Sequence, residues 1–194
     1  MGELSISPQD SKSVLRKEVG ARLRALTTTQ RAAASAAAAV LLRKQTVWQQ
    51  AQSILFYAPL STELDVWPLF AEALEAGKTG ALPRFCVDTG SYVACQVQDL
   101  ERDVKPGHLG IREPIPNCRV IPLALDFILV PGVAFDLRCC RLGRGKGFYD
   151  QLLAVAHGTT CGVGFDEQIV PEVPVEPHDI RLSCILTPTR WVQR

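Results

Sequence analysis

Ten residues, Arg141 to Asp150 (RLGRGKGFYD), hold three glycines, three cationic side chains and a closing Tyr-Asp pair. They follow an apolar run, DFILVPGVAF, that reads as a buried strand. Glycine lets backbone N–H groups come close to an anion, and a helix starting near Phe148 aims its positive end at the same place. Arg141, Arg144 and Lys146 add full charges, so the chemistry on offer is phosphate binding. Asp150, one turn into that helix, stands where a magnesium ligand would sit, because magnesium takes one or two protein carboxylates plus phosphate oxygens. An acid that complements the helix dipole is an equally common use of that position. Two familiar phosphate loops do not fit. A Walker loop wants glycine where Cys140 stands and Ser or Thr where Gly147 stands. A dinucleotide fingerprint wants its third glycine where Phe148 stands. A basic glycine-rich turn that only joins strand to helix is the plain alternative, and the loop alone does not decide between them.

The elements around the loop have a strand and helix rhythm. Ser11 to Thr46 reads as helix, rich in alanine, divided by Gly20 and the TTTQ at 27–30, with one of those threonines as cap. ILFYAPL is a short buried strand; STELDVWPLFAEALEAGK is a turn and an amphipathic helix stopped by Gly77; TGALPRF and SYVACQVQ are further strands. KPGHLGIREPIPNC reads as an irregular loop. After the glycine loop, FYDQLLAVAHG reads as a helix ended by Gly158, TTCGVGF as a strand, DEQIVPEVPVEPHD as a loop and RLSCILTPT as the last strand. The fold class expected is α/β: one domain over 1–194, an open, mainly parallel sheet with helices on both faces. Ligands of such sheets bind beyond the carboxyl ends of the strands, where Pro131 to Gly147 falls.

Composition narrows the partners. A formal net charge of +1 gives no support to a general nucleic-acid or membrane-surface binder. Seven cysteines at 86, 95, 118, 139, 140, 161 and 184 lack regular spacing and a CxxC pair, which points to reduced thiols in a cytosol and away from a zinc site. No apolar run approaches the roughly 20 residues of a membrane span, and the first ten residues read as a loose tail with neither a signal peptide nor a good myristoylation match.

Against this background LVPGVAFDLRCCRLGRGKGFYD resembles the signature of the 5-formyltetrahydrofolate cyclo-ligase (5,10-methenyltetrahydrofolate synthetase) family. KSVLR at 12–16, STELDV, ALPR and GFDEQIVPEVPVEPHD resemble the family's other segments in the same order along the chain. The resemblance implies an ATP- and magnesium-dependent ligase that converts 5-formyltetrahydrofolate to 5,10-methenyltetrahydrofolate with release of ADP and phosphate. It implies that Lys12 and Arg16 contact ATP from the first helix and that Arg144, Gly145, Lys146, Gly147 and Tyr149 line its phosphates. Asp150 and Asp179 become the magnesium candidates, with Asp150 beside the nucleotide. Tyr57, Glu63, Arg144 and Tyr149 become folate contacts, and Lys146, Arg144 and Glu63 the catalytic set. His178 receives no acid-base role. Without the family, Lys12 and Arg16 would be a solvated i, i+4 pair, Glu63 a turn acid and Tyr57 a core ring.

The chain departs from the family at Arg138-Cys139-Cys140, where a more polar, glycine-containing turn is usual, and at Phe148, where tyrosine is frequent. The expected protein is a cytoplasmic monomer acting on a small molecule, with no nucleic-acid or membrane partner. Two other readings compete. One is a sugar-phosphate isomerase or CoA-transferase relative using the same cradle. The other is a nucleotide-binding regulator without turnover.

Overall fold

In the computed structural model, which describes residues 8–107, 110–177 and 179–194, the chain starts with helix α1 (Pro8–Ala25) and an alanine-rich α2 (Thr28–Arg43). Thr27 separates them: its hydroxyl accepts the Gln30 N–H at 3.2 Å while the Gln30 side chain accepts the Thr27 N–H at 2.8 Å, a reciprocal cap. Gly20 does not divide the helix; it lies inside α1, where the flanking helix formers carry it. The expected loose tail is corrected in part. Residues 8–10 are the first helical turn, and the remainder of the tail lies outside the described residues.

After a short α3 (Thr46–Gln50) the chain enters β1 (Ser53–Leu55), then α4 (Trp67–Glu75), which has a proline in its first turn and is followed by Gly77 at φ 76°. Strands β2 (Thr79–Cys86) and β3 (Ser91–Val97) form an antiparallel pair. The stretch expected to be irregular carries a small hairpin instead, β4 (Val104–Pro106) against β5 (Arg112–Pro114), with Val104 opposite Pro114. Its prolines concealed it, since they occupy strand-end positions where a missing N–H is tolerated.

Strands β6 (Val120–Ile121) and β7 (Ala124–Pro131) follow, then the small ladder of β8 (Ala134–Phe135) and β9 (Arg141–Leu142) that brackets the turn before the glycine loop. Helix α5 (Phe148–Val155) ends three residues before Gly158, which belongs to β10 (His157–Val163). Strand β11 (Cys184–Leu186) is not the last: β12 (Trp191–Gln193) pairs antiparallel to it.

The main sheet has the order β12-β11-β10-β7-β1-β2-β3-β6, with β11, β10, β7, β1 and β2 parallel and antiparallel strands at both edges. Period-two alternation sends Ile54, Phe127, Leu129 and Cys184 to one face and Leu55, Ile128, Val130 and Ile185 to the other. Four helices, α1 to α4, cover the first face, and α5 covers the second. Phe56 and Phe70 stack at 4.2 Å in the larger core, and burying each ring contributes roughly 2–3 kcal/mol. Chain order reverses between β1 and β7: β1 leads to β2 on one side, β7 to β10 on the other. The loops after these adjacent parallel strands therefore leave the sheet together and open a crevice. No helix among the described residues is long and apolar enough to cross a membrane.

Candidate active site

The β1 side of the crevice is a turn that closes on itself. The Tyr57 ring is buried and its hydroxyl donates to the Leu64 carbonyl at 2.8 Å. The Glu63 N–H donates to the Leu60 carbonyl at 2.9 Å, and Glu63 Oε2 accepts the Leu60 N–H at 3.0 Å. This leaves Oε1 to accept from Arg144 of the glycine loop at 2.9 Å, an ion pair whose acidic partner is 8% exposed and whose basic partner is 52% exposed.

The β7 side begins with a buried carboxylate. Asp136 Oδ1 accepts the N–H groups of Arg138 at 2.9 Å and Cys140 at 3.0 Å, while Oδ2 accepts that of Val173 at 3.0 Å. Burial alone would raise its pKa, but these three donors and the Arg138 charge hold it below the usual carboxylate range. Pinned this way, the turn keeps Cys139 at φ 63°, a left-handed conformation usually left to glycine. Arg141 then places one guanidinium nitrogen 2.5 Å from Asp150 and another 3.3 Å from the Pro131 carbonyl, and lies 5.8 Å from the Tyr149 ring centre.

Between Arg141 and α5 the backbone is bare. Gly145 at φ 93° and Gly147 at φ 69° flank Lys146, and among the described residues the N–H groups of Arg144, Gly145, Lys146 and Gly147 find no acceptor. Consecutive N–H groups in such a turn, at the start of a helix with no side-chain cap, make an anion-binding concavity. Arg16 braces it by donating to the Gly143 carbonyl at 2.9 Å. One helical turn earlier Lys12, 8% exposed, reaches Glu176 at 2.7 Å and Asp179 at 2.6 Å. Burial would lower the Lys12 pKa, but its bonds to Asp179 and Glu176 outweigh that and raise it.

The crevice holds a cavity of about 370 Å³ whose lining includes Tyr57, Glu63, Tyr92, Glu113, Phe148 and Tyr149. A second cavity, also about 370 Å³ and lined by Arg16, Arg24 and Thr62, shares Gly132 and Arg144 with the first. Two compartments thus meet at one arginine. Burial pushes the hydroxyls of Tyr57 and Tyr149 upward, with Glu63's charge adding to both, so each stays protonated and able to donate at neutral pH.

The sequence profile of the 5-formyltetrahydrofolate cyclo-ligase family matches residues 8–188. The chain belongs to this family. The mouse 5-formyltetrahydrofolate cyclo-ligase is 27% identical over 94% of this chain and 96% of its own length, and that of Escherichia coli 34% identical over 72% and 80%. The solved structure of Aquifex aeolicus 5,10-methenyltetrahydrofolate synthetase superposes with a TM-score of 0.84 at 32% identity, covering 94% of this chain and 92% of that one. The Mycoplasma pneumoniae 5,10-methenyltetrahydrofolate synthetase superposes at 0.71 with 21% identity and so speaks for the fold. Family membership makes the chain a ligase acting on a small-molecule folate and sets aside the isomerase and CoA-transferase reading.

Seen as a cyclo-ligase, the chain brings Tyr57, Glu63, Arg144, Lys146, Gly147, Tyr149 and Asp150 to one cavity. Gly145 lies in the same loop, within 3.5 Å of the Arg16 guanidinium as measured from an ideal Cβ. Asp179 is not on that wall; it holds Lys12 and accepts the Glu176 N–H at 2.7 Å. His178 lies outside the described residues. Among the described residues no group of three His, Cys, Asp or Glu side chains forms a metal cage. Asp150 is the wall carboxylate at the end of the glycine loop, and one carboxylate there fits magnesium carried in on phosphates and not a preformed protein site.

Sequence reasoning passed over several residues. Asp136 and Tyr92 went unassigned, Arg141 was read only as a cation of the phosphate cradle and not as the partner of Asp150, and Glu113 lay inside a segment read as loop. Phe85, Tyr92 and Phe148 also form a ring cluster with centres 5.3 to 5.7 Å apart, so the departure at Phe148 serves an aromatic wall. The Phe-Asp dipeptide after a strand was the available signal for Asp136.

Proposed function

We propose that this chain closes 5-formyltetrahydrofolate to 5,10-methenyltetrahydrofolate coupled to conversion of ATP to ADP and phosphate. The observation that carries the reading is the run of N–H groups from Arg144 to Gly147, unpartnered among the described residues and placed where the two cavities meet. ATP, when bound, would supply the phosphoryl group that turns the oxygen of the poorly electrophilic formyl group into a leaving group, so that N10 can close on the formyl carbon with loss of its proton and of phosphate. Phosphoryl transfer is catalysed mainly by position and charge. Gly145, Lys146 and Gly147 supply backbone donors to the phosphates, and the Lys146 ammonium, exposed and without an ion pair among the described residues, adds charge as it develops. Arg144 exchanges Glu63 for the transferring group, and Glu63, released at one oxygen but still held by the Leu60 N–H, faces the folate. Arg16 keeps the loop in place and Lys12 anchors α1 to the carboxy-terminal loop. Tyr57 and Tyr149 provide aromatic surface and neutral hydroxyls. Asp150 would hold magnesium together with the phosphates, giving up Arg141 to do so. We further place the protein in the cytosol, in keeping with seven unpaired cysteines, and take it to act as a monomer.

The test is a mixture of the purified protein with 5-formyltetrahydrofolate and magnesium-ATP, followed in the near ultraviolet. The methenyl product's band should appear, depend on ATP and fall sharply in Lys146→Ala. A folded protein that binds ATP and yields no band would overturn the reading in favour of a nucleotide-binding regulator.

A further inference from the structure

The cavity wall carries two buried carboxylates in different states. Glu63 has both oxygens engaged, one by Arg144 and one by the Leu60 N–H. Glu113, on β5, accepts the Phe85 N–H at 3.2 Å through Oε2, while its buried Oε1 has no hydrogen-bond partner among the described residues. The residue is 6% exposed and lines the cavity. A carboxylate oxygen withdrawn from water without a donor is strongly unfavourable, so such a group in a cavity wall is set for a donor that arrives with a ligand.

Its position is held from behind. An added Cβ at Gly107, across the small hairpin, would lie 2.8 Å from Glu113 Cβ and 2.9 Å from Oε2, so only glycine lets the side chain pass. Beside it stands the Tyr92 ring, edge-on to Phe148 at 5.3 Å between centres, with Pro83 on the same wall. Both side chains line the cavity, and burial pushes the Tyr92 hydroxyl upward with the charge of Glu113 adding to that. Flat apolar surface beside one free acceptor suits a planar heterocycle that presents N–H donors along an edge. The pyrimidine half of a reduced pterin has that edge, its 2-amino group and N3–H lying side by side.

We propose that Glu113 reads this edge, with Oε1 accepting from the 2-amino and N3–H side of the pterin, and so selects 2-amino-4-oxo pteridines. The assignment rests on the folate reading given above and adds the residue that orients the ring. Glu63 and Arg144 are left to the reacting end, and Gly107 acts as the positioning residue behind Glu113.

The experiment compares wild type with Glu113→Gln and Gly107→Ala by calorimetric binding of 5-formyltetrahydrofolate without ATP, and by KM for each substrate. Glu113→Gln retains a carbonyl for the Phe85 N–H but turns a donor toward the pterin edge. Its folate Kd and KM should rise on the order of tenfold to a hundredfold, while the KM for ATP and the melting temperature stay near wild type. Gly107→Ala, which keeps the carboxylate and moves it, should shift folate affinity in the same direction. A 2-desamino analogue should bind wild type and Glu113→Gln equally weakly. Unchanged folate affinity in Glu113→Gln, or parallel losses in folate affinity, ATP KM and melting temperature, would overturn the assignment. Wild type that binds folate without turnover contradicts the proposed reaction alone, since Kd still reads Glu113; wild type that binds no folate contradicts both.

Discussion

Two turns follow β7 within fifteen residues of each other, and they are built on opposite principles. The turn from Phe135 to Cys140 is closed around the Asp136 carboxylate, whose oxygens take three backbone N–H groups in a site with no solvent exposure. The loop from Arg144 to Gly147 leaves its backbone donors unpaired among the described residues and its side chains largely in solvent. A satisfied buried network fixes geometry, whereas unsatisfied donors at a rim are kept for something that binds. The first turn aims the second, and the proposed chemistry sits where the hydrogen bonds among the described residues stop.

The sharpest way to break the contrast is Asp136→Asn. The amide presents a donor to at least one of the three N–H groups, and stability should drop by about 3 kcal/mol in denaturant titration. The same residue sets an acid limb. Its folded pKa lies below the unfolded value of about 3.9, so its contribution is complete above roughly pH 4 and is lost as pH falls through the folded pKa. The acid limb of a stability–pH curve should flatten in Asp136→Asn. Lys146→Ala, on the other turn, should lower turnover on the order of a hundredfold and leave stability within about 0.5 kcal/mol, because the side chain has no ion pair among the described residues. Gly145→Ala lies between: a side chain at φ 93° costs about 1–2 kcal/mol and tilts the donors, so turnover should fall about tenfold with a melting shift of a few degrees. Cys139→Gly should be close to neutral, as about 1 kcal/mol of relieved left-handed strain offsets a similar loss of buried surface.

The parallel core was legible because its strands are continuous apolar runs and its helices are marked by caps and alanine. The glycine loop was legible because glycine and cation together have few uses. The β4–β5 hairpin was not, since its prolines and glycines imitate loop, and with it went Glu113. Nor could sequence show that Lys12 turns to Glu176 and Asp179, 164 and 167 residues away, while Arg16 turns to Gly143. Spacing puts both on one helix face; which loop meets which side chain is decided by tertiary packing alone. Asp136 showed only as a dipeptide, because its role depends on Val173, contributed by a loop beyond β10.

The most direct measurement is amide hydrogen exchange resolved to single residues, with and without magnesium-ATP. The account predicts that the N–H groups of Cys140 and Val173 are protected in both states. Those of Arg144, Gly145, Lys146 and Gly147 should exchange freely alone and slow markedly with the nucleotide. Protection of the four loop amides in the free protein, or exchange there that magnesium-ATP leaves unchanged, would contradict it.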